Sequence, residues 1–414
     1  MSLVTPRKGY KSVPWLFGKE IEIPEEWEVT TLKENSYVTD GSHLTPVKIR
    51  KGFPMATVEN LKYSSIDIDS CYNISEEDFK QLTKNNCKPE INDVLFTKDG
   101  TVGKSFVFTQ NIDVVLLSSI AILRPFENLD SYFLHYLFHS EAMTKFVAKF
   151  LGGTAIKRIV LKHLEIFYFP LPPLPEQQKI TTILSNVDNL IESTEKVITH
   201  SKKVKNGLMQ KLLTRGIGHV TFKKVPWLFG KEIEIPEEWE NVNVEYVADK
   251  LLSGGTPSTL ITEYWDGDIP WTKGAVLTTN NTTKGEKFIS ELGLKNSSTS
   301  IISKDNLLVV SRVSIGNISI NKIDVAINQD ITAVILNKTI CLTDFLYWNL
   351  LQTINILVSF SQGTTIQGFT RKDLSSHKVL LPSLPEQQKI ATILSNIDSK
   401  ITSQEQYKEK LEKL

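Results

Sequence analysis

Between Glu176 and Leu213 the apolar positions fall at Ile180, Ile183/Leu184, Val187, Leu190/Ile191, Val197/Ile198, Val204, Leu208 and Leu212. Steps of three and four in alternation are the spacing of a coiled-coil seam, here interrupted by polar Thr194 and Ser201. No proline interrupts this stretch, Gly207 is its one glycine, and Pro175 stands where the first turn of a helix tolerates proline. The spacing predicts a rod of roughly 57 Å at the usual helical rise. The pattern returns at Ile390, Ile393/Leu394, Ile397, Ile401, Tyr407, Leu411 and Leu414. One amphipathic rod is poorly stable in water, so the two are expected to pair, antiparallel if the halves are related by a pseudo-two-fold.

The rods belong to a larger duplication. Val13–Glu28 recurs letter for letter as Val225–Glu240, and Leu171-Pro-Pro-Leu-Pro-Glu-Gln-Gln-Lys-Ile180 returns as Leu381-Pro-Ser-Leu-Pro-Glu-Gln-Gln-Lys-Ile390. The leading segment, with its Ile-Glu-Ile-Pro, reads as an extended clip because that run cannot propagate a helix. Between the two frames the halves are almost unrelated. They share a buried strand, a turn and a second strand: Asp93–Lys104 parallels Asn306–Asn317, and Gly153-Thr-Ala-Ile156 parallels Gly363-Thr-Thr-Ile366. Helices are expected over 132–150 and 344–360. The order is not the regular β-α alternation of a parallel sheet, so each half reads as mixed, with antiparallel strands. Leu414 aligns with Val204, leaving Lys205–Arg215 without a counterpart in the sequence.

Composition adds limits. With 414 residues, 41% hydrophobic and 23% charged, the chain has material for two or three globular cores. No apolar run reaches the roughly 20 residues of a membrane helix. The first residues lack a signal peptide's apolar core, and Cys71, Cys87 and Cys341 are isolated, so a reducing cytoplasm is expected. Net charge is zero, 47 basic against 47 acidic residues, which by itself counts against a nucleic-acid binder. The distribution differs from the total. Lys196, Lys202, Lys203, Lys205, Lys211, Arg215, Lys223 and Lys224 form a stretch without an acid, the local concentration that phosphate attraction requires.

Catalytic signatures fail on inspection. Gly103-Lys-Ser105 resembles the end of a phosphate-binding loop, but the first glycine of that loop falls on Lys98. Gly216-Ile-Gly218 lacks a third glycine. His135 and His139 have a zinc-compatible spacing, without the intervening glutamate of a metalloprotease. No metal site and no catalytic centre is expected.

The Leu171–Ile180 motif opening a long helix that ends in Gly207-Leu-Met-Gln-Lys-Leu-Leu-Thr214 resembles the spacer of a type I restriction–modification specificity subunit. Ile23-Pro-Glu-Glu-Trp27, its copy Ile235–Trp239, Gly254-Gly-Thr-Pro-Ser258 and Asp268-Ile-Pro-Trp-Thr-Lys273 are similar to that family too. The resemblance implies an α+β chain with two tandem target-recognition domains, 1–171 and 216–381. Spacer helices 172–215 and 382–414 would form an antiparallel coiled coil. It implies a non-catalytic DNA reader, each domain reading one half of an asymmetric bipartite site in double-stranded DNA. The helices would set the gap and dock two modification subunits, and restriction subunits carrying a motor and nuclease would join them. S-adenosylmethionine, ATP and magnesium would be bound by those partners and not by this chain.

Base reading needs side chains projected into a groove. The candidates in the first domain are Lys98, Thr101, Lys104, Thr154, Lys157 and Arg158. In the second they are Lys273, Arg312, Ser314, Asn317, Thr364, Thr365, Gln367 and Arg371. The candidate coiled-coil seam is Ile180, Leu184, Val187, Ile191, Val204, Leu208, Ile390, Leu394, Ile397 and Ile401. Two other readings fit parts of the sequence: a DNA-modifying enzyme complete in itself, which lacks an Asn/Asp-Pro-Pro-Tyr/Phe methyltransferase signature, and a coiled-coil scaffold without a DNA role, which net neutrality favours.

Overall fold

The structure, a computed structural model, describes residues 7–62, 64–151, 157–278, 280–359 and 368–413. The chain divides into two compact units, Met1–Leu190 and Ile191–Leu414, and the division falls inside one continuous helix, Leu174–Arg215.

In the first unit the leading segment forms a β-hairpin, Tyr10–Pro14 against Glu20–Pro24. The next strand, Glu28–Thr31, pairs antiparallel with Tyr168–Leu171, so Glu28 faces Leu171. The recognition-sized insert therefore starts and finishes on one two-stranded ribbon, and the two duplicated motifs are partners across it. The main sheet is antiparallel, with Ser36–Asp40, Ile120–Pro125, Val94–Thr97 and Ser105–Val107 in that order. Strand Val94–Thr97 is buried on both faces, and its side chains alternate between two clusters. Val94 and Phe96 meet the helices, while Leu95 joins Phe106, Leu116 and Ile120. A smaller sheet adds Phe53–Ala56 between Tyr72–Ile74 and Val115–Leu116, the last pairing parallel.

The second unit repeats the plan. A hairpin, Phe222–Pro226 with Glu232–Pro236, leads to the ribbon Glu240–Asn243 with Lys378–Leu381. Its main sheet runs Ala248–Ser253, Ile331–Leu336, Leu307–Val310, Ile318–Asn321 and Asn281–Thr282. Parallel pairings, of Asn281 with Ile320 in this sheet and of Trp271 with Ala326 in a second, four-stranded sheet, add to the antiparallel strands that the sequence suggested. The expected helix over 132–150 is two helices, Ser131–Phe138 and Glu141–Phe150, because Ser140 caps a new start by accepting from the Met143 N–H. Its counterpart, Thr343–Ser359, is unbroken.

The second long helix, Leu384–Leu411, runs antiparallel to residues 195–205 of the first. Lys205 pairs with Asp398 at 2.8 Å, Lys202 with Glu405 at 2.6 Å, and Lys408 with Glu195. The buried face differs from the predicted one. Thr194 and Ile198 are buried and Ser201 half-buried, whereas Val204 and Val197 are exposed, as is Tyr407 on the partner helix. The buried and half-buried positions Thr194, Ile198, Ser201, Lys205, Leu208 and Leu212 still step by three and four. Their phase is set by Lys205 and Asp398, which need each other, and two small hydroxyls allow close approach. Ile390, Leu394 and Ile401 are buried, and Ile180, Leu184, Val187, Ile191, Leu208 and Ile397 half-buried.

Candidate nucleic-acid interface

The most repeated chemistry in the molecule is a clamp. In the first unit Trp27 donates its indole N–H to Glu176 Oε2 at 2.9 Å. The fully buried Gln177 accepts from the Asp130 N–H and donates to the Asn128 and Pro172 carbonyls. In the second unit Trp239 donates to Glu386 at 3.0 Å, and Gln387 accepts from the Leu342 N–H and donates to the Ile340 and Pro382 carbonyls. An amide has both an acceptor and two donor hydrogens, so one buried glutamine satisfies backbone on two loops. The clamp fixes the ribbon, the helix start and the loop before the domain's main helix in one geometry. It explains why Ile-Pro-Glu-Glu-Trp and Leu-Pro-Glu-Gln-Gln occur together, and sequence reading had noted both motifs without their contact.

Above this base, one end of each main sheet gathers the candidate readers. Asp40 faces Ala121 and Thr97 faces Ile120, so the loops after Asp40 and after Thr97 leave from the same end. The matching end of the second sheet is defined by Ser253 facing Thr332 and Val310 facing Ile331.

The turns place the predicted residues unequally. Lys98 is a correction: it is buried, its ammonium held by Asp40, whose carboxylate also meets His43 at 3.3 Å. A buried ammonium needs a carboxylate partner, so this lysine ties two loops together and is not free for phosphate. Thr101 and Lys104 are exposed, and Thr97 Oγ1 braces the turn by donating to the Thr101 carbonyl and accepting from the Lys104 N–H. Lys157 is exposed, with its carbonyl accepting from the Gly100 N–H. Arg158 makes a two-point pair with Asp99 at 2.7 and 3.0 Å, which raises the guanidinium pKa through the hydrogen bond and the charge of Asp99.

In the second unit Lys273 is paired with Glu286 at 2.7 Å. Arg312 is exposed and its backbone bridges Gly368. Ser314 is exposed with φ 59°, and Asn317 is half-buried with its carbonyl accepting from the Val310 N–H. Arg371 is exposed at the first position of the short helix Arg371–Ser375, behind a Thr370–Asp373 capping box. Thr154, Thr364, Thr365 and Gln367 lie outside the described residues.

The two histidines with zinc-like spacing are packed together, ring centroids 4.6 Å apart, and His135 Nδ1 bonds Ser105 Oγ at 3.0 Å. Burial, then the neighbouring His139, push the His135 pKa down to about 4. Ser105, the last residue of the loop resembling a nucleotide motif, is thus occupied by this contact. Among the described residues no helix is long and apolar enough to cross a membrane.

A family model described as the type I restriction modification DNA specificity domain matches residues 24–200 and again 236–413. The chain is 31% identical over 95% of its length to a putative type I restriction enzyme MjaX specificity subunit of Methanocaldococcus jannaschii, covering 91% of that relative. It is 27% identical to the MjaVIII specificity subunit of the same organism, over 95% of this chain and 91% of the relative. The fold resembles the crystal structure of a type I restriction-modification system S subunit from M. genitalium, with TM-score 0.57 and 16% identity over 93% of this chain and 92% of that one. A second structure, from work on complex assembly and conformational transition of the type I R-M system, gives TM-score 0.55 at 17% identity, covering 94% and 95%. Two clamps, two ribbons and two matched domains lead to one conclusion: this chain belongs to the type I restriction modification DNA specificity family, with the family's domain present twice in tandem.

Proposed function

We propose that the chain is the DNA-reading subunit of a type I restriction–modification complex. Each inserted domain reads one half of an asymmetric bipartite site, and the long helices set the gap between the halves. The observation that carries this reading is the two-stranded ribbon: each insert begins and ends beside itself, so its contents can vary while the frame stays fixed. Variable polar loops on a fixed base are what sequence reading requires, since phosphate contacts fix register and base contacts carry the information. The chain itself performs no chemistry. Two modification subunits dock on the helices and methylate with S-adenosylmethionine. Restriction subunits supply ATP-driven, magnesium-dependent cleavage, and the assembly works in the cytoplasm.

The test is methylation mapping in a host carrying the complete system, before and after residues 29–170 are exchanged for the corresponding insert of a relative. The expected outcome is a split methylated sequence in which one half changes and the other is retained. A change in both halves, or in neither, would overturn the modular reading.

A further inference from the structure

The loop Gly41–Gly52 follows the first strand of the first main sheet and carries His43, Lys48, Arg50 and Lys51. No acid occurs between Asp40 and Glu59. Several other cations of this unit are neutralised by carboxylates, as in Lys62 with Asp67, Lys88 with Asp113 and Arg124 with Asp93. Among the described residues no carboxylate pairs with Lys48, Arg50 or Lys51, and all three are exposed. Leu44 and Val47, in the same loop, are each 79% exposed. The loop is nevertheless held at both ends: the Ser42 N–H donates to the Leu116 carbonyl, the Ser118 N–H to the Ser42 carbonyl, and the Ile49 N–H to the Asn73 carbonyl. Lys48 Nζ lies 4.6 Å from the centre of the Tyr72 ring. A fixed loop presenting unneutralised cations beside bare apolar tips has surface in need of a partner, and its charge names a polyanion.

The second unit has the opposite charge at the same place. Gly254–Asp268 follows the first strand of its sheet and carries Glu263, Asp266 and Asp268 with no lysine or arginine. Its apolar tip, Leu260, is 93% exposed. The apolar projection is common to both loops, and the cations are not.

We propose that Gly41–Gly52 is a DNA-contacting loop of the first domain. Lys48, Arg50 and Lys51 engage duplex phosphates, and Leu44 and Val47 lie against base edges in the groove, where a thymine methyl is the apolar feature available. The first domain thereby supplies more of the salt-dependent affinity, and the second relies on turn contacts such as Arg312. This rests on the DNA-reading function proposed above.

The experiment uses the full chain, assembled with its modification subunits, and duplexes containing the mapped site. The variant K48Q/R50Q/K51Q is expected to lower the slope of log affinity against log salt by about 2.7, three contacts at the usual ~0.9 each. The affinity lost between about 50 and about 200 mM salt then shrinks about 40-fold. The variant L44A/V47A is expected to keep the slope and relax base preference in one half-site only. Because every substituted side chain is exposed, unchanged melting temperatures serve as the folding control. If wild type binds with a steep slope and both variants match it in slope and base preference, the loop is not the contact, while the DNA-reading function stands. If wild type shows no salt-dependent duplex binding, the function itself fails.

Discussion

The turn Lys98–Lys104 and the turn Ser311–Asn317 are one backbone design with opposite chemistry. Each links two core strands at the same end of its sheet, and each carries a glycine at the same place, Gly103 and Gly316. In the first, Asp99 clasps Arg158 and Gly100 takes φ 70° at no steric cost. In the second, the aspartate is replaced by exposed Arg312, and Val313 holds φ 43° followed by Ser314 at 59°. A β-branched residue in the left-handed region is a genuine outlier, and such strain persists where the surroundings over-determine it. The first turn is relaxed, its aspartate is tied to Arg158, and its exposed cation, Lys104, comes at its end. The second is strained and offers its cation outward. Duplicated frames can thus hold readers that differ in charge and in backbone energy.

The bases beneath the turns differ as well. Trp239 is 1% exposed, covered by Gly216 and His219, whereas Trp27 is half-buried. Glu386 serves the Trp239 indole, the Ile217 N–H and His219 together. Trp239→Ala is expected to cost about 4 kcal/mol, and Trp27→Ala roughly half of that, in urea unfolding. Equal losses would show that the covering segment contributes nothing. Glu386→Ala, which strands several donors, is expected to cost ~2–4 kcal/mol and more than Glu176→Ala.

Next in size is an acid effect. His377 is buried, bonded to Thr353 Oγ1 at 2.8 Å, and burial pushes its pKa down to about 4. The first unit has Phe167 at this place, and both residues give their carbonyl to the equivalent backbone N–H, of Val244 and of Leu32. A histidine kept neutral in the folded state contributes in full above its unfolded pKa near 6.5, and the contribution falls as pH drops from there toward 4. The loss is on the order of 3 kcal/mol. His377→Phe is expected to flatten stability of the second unit across that window, while the acid response of His135 in the first is retained. A variant as acid-sensitive as wild type would mean His377 is not the titrating group.

Smaller still is the turn itself. Val313→Gly is expected to raise the melting temperature by relieving about 1 kcal/mol of backbone strain, and Gly100→Val to lower it by introducing ~1–2 kcal/mol of strain. If Val313→Gly is destabilising, the turn is not strained. The smallest stability change is expected for Asp99→Asn, which releases a mostly exposed arginine. Its melting temperature should be unchanged while the salt slope of duplex binding rises by about 1. An unaltered slope would leave Arg158 with a structural role only.

The seam shows where sequence pattern runs out. Spacing located the rods and their antiparallel pairing but put Val204 inside and Thr194 and Ser201 as interruptions, the reverse of what is found. An apolar count treats Lys205 as outside, although with Asp398 and Asn280 it forms a polar link to Tyr347 in the domain. Likewise Lys98 was legible as a turn cation and illegible as half of a buried pair, because Asp40 stands far away along the chain. The loop 43–51 did leave a signal, a cationic run with no acid, which overall neutrality concealed.

By itself the sequence determined the duplication, the two rods, the extended clips and the family, because repeats and periodicity are local or self-referential and survive without coordinates. Tertiary structure alone decided which cations are free. Pairing of a charge depends on what lies within a few ångströms in space, and sheet register, not spacing along the chain, sets that distance.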